Sequence, residues 1–191
     1  MVYLPSKLSL ELKITDEQFL TLCQKHRDLK FERTKKGELI IMSPTGGITG
    51  DYNADLTYQL RSWTIQTKLG KSFDSSTGFK LPNGANRSPD ASWVSLERWN
   101  TLTLEQQEKF LPFCPDFVVE LRSPSDVLSI LQAKMKEYLE NGARLGWLID
   151  PKRKIVEISR PQQKVEILRS PTILSGENVL PGFVLDLSEI F

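Results

Sequence analysis

A chain of 191 residues, 39% hydrophobic and 26% charged, is long enough for one domain with a substantial core and has the composition of an ordinary globular protein. Its formal net charge of +1 excludes a strongly basic coat for non-specific nucleic-acid binding, although cations can gather in one cleft while acids elsewhere lower the total. Cys23 and Cys114 lie far apart without Cys-x-x-Cys spacing, which excludes a disulfide framework or a cysteine zinc site, and no run of eighteen apolar residues offers a membrane span, so the expected location is the cytoplasm.

Thr15-Asp16-Glu17-Gln18 has the form of a capping box and predicts a short amphipathic helix ending near His26, a lid or brace. Residues 29–34 and 38–42 flank Lys35-Lys36-Gly37 and read as a β-hairpin whose glycine supplies the positive φ angle. Gly46-Gly47 then leads to a long helix over about 51–69, with Leu56, Leu60 and Trp63 at i, i+4 and i+7. Residues 72–81 form a strand region interrupted by Gly78, and 83–86 is a turn before Pro89. A buried strand follows over 90–95. Thr103 and Gln106 mark a second capping box, on a short helix over 103–110 that reads as a peripheral insertion. The next strand, 116–122, puts Phe117, Val119 and Leu121 on one face and Val118 with Glu120 on the other. A helix over 126–141 is started by Ser125 or Asp126 and stopped by Asn141-Gly142. Residues 145–149 and 155–159 then pair as a hairpin around Asp150-Pro151-Lys152-Arg153, and 164–169 adds an edge strand. This order, without internal repeats, predicts an α/β fold of the α+β kind, a central mixed sheet flanked by helices in a single domain over 1–191.

The helix over 126–141 carries the most informative residue. At 100° per residue Lys134 falls on the apolar face, between Ile130 and Val127 and close to Leu131 and Tyr138, whereas Lys136 projects to the opposite side. An inward ammonium is costly unless it meets an anion, and the preceding strand offers Glu120. Pro89-Asp90 opens another apolar run and supplies a second carboxylate. Two hard oxygen ligands and a lysine fit metal-assisted phosphodiester chemistry with Mg²⁺ or Mn²⁺.

The order of Pro89-Asp90, Asp116-Phe117-Val118-Val119-Glu120-Leu121-Arg122-Ser123-Pro124-Ser125, Lys134 with Tyr138 and Gly142, and Trp147-Leu148-Ile149-Asp150-Pro151 resembles the Uma-type putative restriction endonuclease family of the PD-(D/E)XK nuclease superfamily. Phe31-Glu32, Gly37-Glu38-Leu39 and Met42-Ser43-Pro44 extend the likeness upstream. The resemblance implies a restriction-endonuclease-like core and divalent-metal-dependent cleavage of DNA. Carried over, Asp90 and Glu120 are the catalytic acids and metal ligands, Lys134 is the helical lysine, and Glu32 is a further acidic position, an outer or second-metal ligand. The chain departs from the superfamily's Glu-x-Lys pattern, because Arg122 stands where that lysine would be, and arginine is a poor proton acceptor.

Two other functions compete. A catalytically inactive module keeping the nuclease fold, for binding or assembly and as a homodimer, agrees with the near-neutral charge and the missing lysine. A two-carboxylate glycosidase needs an acid of raised pKa, which a neighbouring lysine opposes, and ranks last. A Ser-His-Asp hydrolase would have to recruit the single His26, which fits a helix C-cap better. The four tryptophans, Trp63, Trp93, Trp99 and Trp147, read as core or interface anchors.

Overall fold

The computed structural model describes residues 7–10 and 12–191. Two sheets and a small ribbon carry the fold. The first sheet has the order β1-β3-β2-β6-β5, built from β1 (Lys7–Leu10), β2 (Lys30–Arg33), β3 (Leu39–Met42), β5 (Phe79–Lys80) and β6 (Asn86–Arg87). The second has the order β11-β10-β9-β8-β7-β4, with β4 (Gly70–Asp74), β7 (Ala91–Ser95), β8 (Phe117–Leu121), β9 (Leu145–Asp150), β10 (Ile155–Ser159) and β11 (Glu166–Arg169). Strands β12 (Ile173–Ser175) and β13 (Val184–Asp186) form the ribbon. In the second sheet β8 and β9 run parallel, Glu120 opposite Leu148, and its other pairings are antiparallel. That parallel pair requires a crossover, which is helix α5 (Leu128–Glu140).

The period-two pattern of β8 sorts two cores. Phe117, Val119 and Leu121 pack into a cluster with Trp147, Phe183 and Leu60, while Val118 packs on the other face with Leu131, Met135 and Tyr138 of α5. Helix α2 (Gly47–Thr67) covers the first face through Leu56 and Leu60, with Trp63 packed at its edge. Helix α1 (Asp16–Lys25) is a brace: its buried Phe19 joins Phe31 and Leu39 in a third cluster.

Several expectations agree with the fold. Both capping boxes are present, at Thr15 with Gln18 and at Thr103 with Gln106 before α4 (Leu104–Gln107), and His26 is the C-cap of α1. Gly37 has φ +88°, as the β2–β3 turn demands. Cys23 and Cys114 are free thiols, and Trp93 and Trp147 are core residues.

The α+β class with a central mixed sheet flanked by helices is as expected. Other expectations are corrected. The strand region over 72–81 breaks at the turn after Asp74 and sends β4 and β5 into different sheets, so a second sheet accompanies the mixed one. Helix α2 begins at Gly47, earlier than its apolar period suggests, and ends at Lys68 in the left-handed region with φ +58°. A helix α3 (Leu96–Trp99) capped by Ser95 precedes the insertion. Helix α5 starts after Val127 with no side-chain cap, because the Asp126 carboxylate instead closes the Ser123 turn, accepting from its backbone N–H at 2.9 Å and its hydroxyl at 2.7 Å. The buried stripe of α5 is Leu131, Met135 and Tyr138; Val127 and Ile130 are 57% and 59% exposed. Lys134 therefore sits on the flank of the stripe beside Leu131 and Tyr138.

Candidate active site

One cleft, of about 590 Å³, receives side chains from both sheets and from the starts of α2 and α5. It is lined by Asp90, Glu120 and Lys134 among others, so the three side chains singled out from separate elements share one space.

Asp90 stands at the entry to β7. Its N–H donates to the Val119 carbonyl at 3.0 Å and its Oδ2 accepts from the Leu121 N–H at 2.8 Å, which fixes the carboxylate against β8 beside Glu120. Glu120 is buried, and its Oε1 accepts from two donors, the Tyr138 hydroxyl at 2.9 Å and the Lys134 ammonium at 2.8 Å. Its Oε2 has no hydrogen-bond partner among the described residues.

Lys134 Nζ also lies 2.8 Å from Glu32 Oε1, so the ammonium bridges two buried carboxylates. Glu32, on β2, is fully engaged: Oε1 also accepts from the Ser88 N–H at 3.0 Å, and Oε2 faces Arg87 at 3.1 Å. Arg87 in turn binds Glu137 of α5 through Nε at 2.6 Å, and Glu137 accepts from Asn83 at 3.0 Å. Lys134, Glu137 and Tyr138 have the i, i+3, i+4 spacing that puts three polar ends on one flank of a helix, here turned towards β8 and β6.

The charges interact unequally. Burial opposes ionisation of Glu32, but Lys134 and Arg87 outweigh it and hold the carboxyl down at about 2. Burial raises Glu120, and the like charges of Asp90 and Glu32 add to that, against a partial offset from Lys134. Lys134 is itself opposed by burial, yet Glu120 and Glu32 keep its pKa above the ordinary lysine value, so it is a permanent cation. The Tyr138 hydroxyl is pushed far up, first by burial and then by the two glutamates, and acts as a donor only.

Among the described residues no group of three or more His, Cys, Asp or Glu side chains is arranged to hold a metal ion. The donor set that does fit a hard divalent cation is the Asp90 and Glu120 pair, in which Asp90 Oδ1 and Glu120 Oε2 carry no hydrogen bond among the described residues. Mg²⁺ keeps several waters and needs only one or two protein carboxylates. Glu32, with both oxygens on cations and a backbone N–H, has no such capacity left. Asp116, at the far end of β8, is held by the Ser95 N–H and by Arg98 and is not in the cleft.

Arg87, Glu137 and the donor role of Tyr138 are not evident from sequence. Arg87 lies on a two-residue strand with no period to read, and Tyr138 looks like one more apolar residue of the α5 stripe. Arg122 does not replace the missing lysine: it pairs with Asp150 at 2.6 Å and donates to the Asp126 carbonyl at 3.3 Å.

A search of the curated proteins finds no match. A solved structure described as a putative nuclease belonging to DUF820, from Anabaena variabilis, superposes with a TM-score of 0.76 over 93% of this chain and 97% of that one, at 21% identity, and so shares the fold. A model of the Uma2 family, described as "Putative restriction endonuclease", matches residues 16–188, the stretch that holds the whole cleft. The chain belongs to that Uma2 family.

Proposed function

We propose that this protein is a Mg²⁺- or Mn²⁺-dependent endonuclease that hydrolyses DNA phosphodiester bonds, with Asp90 and Glu120 as metal ligands and Lys134 as the catalytic cation, all within one domain spanning 1–191. The observation that carries this reading is the Lys134 ammonium at 2.8 Å from Glu120, in the cleft that Asp90 also enters. The family description and the nuclease title of the structural neighbour support the same chemistry.

A divalent cation held by Asp90 and Glu120 would polarise the phosphodiester and acidify water. The remaining work falls to the protein. Lys134, kept protonated by Glu32 and Glu120, orients the attacking water and balances charge gathering on the phosphoryl oxygens; it is not the proton acceptor. Glu32 serves by anchoring Lys134, a revision of the metal-ligand role that the resemblance implies, since neither of its oxygens is spare. Tyr138 and Lys134 both engage Glu120 Oε1, which leaves Oε2 for the cation.

Nicking of supercoiled plasmid that requires Mg²⁺ or Mn²⁺ tests the proposal. Full activity in Asp90→Ala would remove the site assignment. Calorimetry without Mg²⁺ or Mn²⁺ binding at millimolar concentration, together with no cleavage of any nucleic acid, would favour the inactive, homodimeric assembly module.

A further inference from the structure

The cleft is poorly charged for a polyanion. Four carboxylates, Asp28, Asp90, Glu120 and Asp126, line it against two lysines, Lys30 and Lys134. Affinity for a phosphate backbone, which grows with the number of phosphates neutralised by Lys and Arg, has to come from outside the cleft.

Two stretches concentrate cations, 25–36 and 152–169, each with six Lys and Arg against two acids while the whole chain is only +1, and the second supplies no residue placed in the catalytic chemistry. Of the six in the second, Arg160 is committed to Glu166 and Glu177. Lys152, Arg153, Lys154 and Arg169 are exposed, and their charged ends make no ion pair among the described residues.

Strand register puts these cations at the cleft's end of the sheet. Leu121 is opposite Ile149 and the Arg122 N–H donates to the Ile149 carbonyl, Asp150 is opposite Ile155, and Ile155 is opposite Arg169. Arg122, Asp150, Ile155 and Arg169 thus form a row across β8, β9, β10 and β11, just beyond Glu120 along the strands. Lys152, Arg153 and Lys154 make the β9–β10 turn that caps this row. The row spans three inter-strand spacings, about 14 Å.

We infer that the strand-end edge carrying Lys152, Lys154 and Arg169 is the track that binds the sugar-phosphate backbone flanking the scissile bond. This inference rests on the nucleic-acid substrate of the reading above and adds where the substrate runs: from the cleft across the ends of β9, β10 and β11.

The test is fluorescence anisotropy of the full chain with labelled 20-base-pair duplex and 20-nucleotide single strand, in EDTA across a salt series. Lys152→Gln with Lys154→Gln is compared with Lys35→Gln with Lys36→Gln, an equally exposed pair on the β2–β3 turn. The first pair is expected to lower the slope of log K against log salt by about 2, and Arg169→Gln by about 1, while the second pair leaves the slope unchanged. Equal effects of the two pairs, or none from either, overturn the inference. So does loss of binding to phosphatidylserine vesicles with nucleic-acid binding intact. No cleavage is read, so a chain that binds through this edge but never nicks plasmid keeps the track and loses the nuclease, whereas nicking with no effect of the first pair on binding does the reverse.

Discussion

The Tyr138 hydroxyl donates to Glu120 Oε1 at 2.9 Å, the same oxygen that Lys134 approaches at 2.8 Å. Two buried donors from adjacent turns of α5 therefore saturate one side of the carboxylate and fix its rotamer. Tyr138→Phe removes one of them with little change of shape. It is expected to cost about 1.5–3 kcal/mol in denaturant unfolding, the range for a hydrogen bond to a charged group. Mn²⁺ affinity measured by calorimetry should fall about 10–100-fold, the usual effect of losing an outer-shell partner. Unchanged Mn²⁺ affinity would deny Tyr138 any positioning role.

Lys134→Met leaves Glu32 and Glu120 buried without their shared cation. The expected destabilisation is about 3–5 kcal/mol. Plasmid nicking should fall about 10²–10³-fold at a temperature where the variant is still folded. A double-mutant cycle with Glu32→Gln separates the pair from its surroundings, and contact at 2.8 Å predicts a coupling of about 1–3 kcal/mol. A coupling near zero would mean that Glu32 does not anchor the ammonium.

The two glutamates should respond to acid with opposite signs. Glu32 has its carboxyl held at about 2 against the ordinary 4.5, so its stabilising contribution is complete above pH 4.5 and disappears as pH falls towards 2. Glu120 is raised instead, so its ionisation detracts from stability as pH climbs through and beyond the ordinary value. Urea titrations between pH 2.5 and 6 are expected to show a shallower acid-side loss in Glu32→Gln and a steeper one in Glu120→Gln. The same slope in both variants would contradict the charge arrangement.

Two glycines make a test of the scaffold. A Cβ on Gly70, at the start of β4, would fall 2.2 Å from the Val94 carbonyl oxygen and 2.5 Å from the Trp93 ring, neither of which can yield. A Cβ on Gly146 of β9 would meet the Met135 methyl at 2.4 Å, the mobile end of a flexible side chain on α5. Thermal or denaturant unfolding should therefore show Gly70→Ala losing about 3 kcal/mol and Gly146→Ala nearer 1 kcal/mol, the two ends of the overpacking range. Equal losses would place the sheet's tight contact elsewhere.

Much of this molecule is legible in one dimension because its local signals agree with one another. The Thr15 and Thr103 boxes, the glycine of the β2–β3 turn and the alternation in 117–121 each reflect interactions within a few residues, and each is present in the fold. Lys134 belongs with them, since an ammonium near the buried flank of a helix demands an anion whatever the topology. The later start of α5 follows from competition: Asp126 can cap a helix or close the turn at Ser123, and only the folded loop decides. Val127 and Ile130 extend the apolar pattern but face solvent, because α5 packs on the core through Leu128, Leu131, Met135 and Tyr138.

By itself the sequence determined the element order, the alternation that turns Glu120 away from the Phe117 face, and the need of Lys134 for carboxylate partners. Only the tertiary structure decided which partners these are. Glu32 reaches Lys134, and Arg87 reaches Glu32, from a second sheet, 102 and 47 positions before Lys134, and Tyr138 reveals itself as a donor only once α5 lies across β8. Local periodicity is set by backbone geometry over one or two turns, whereas the meeting of distant charges depends on how sheets stack, and no spacing along the chain encodes that.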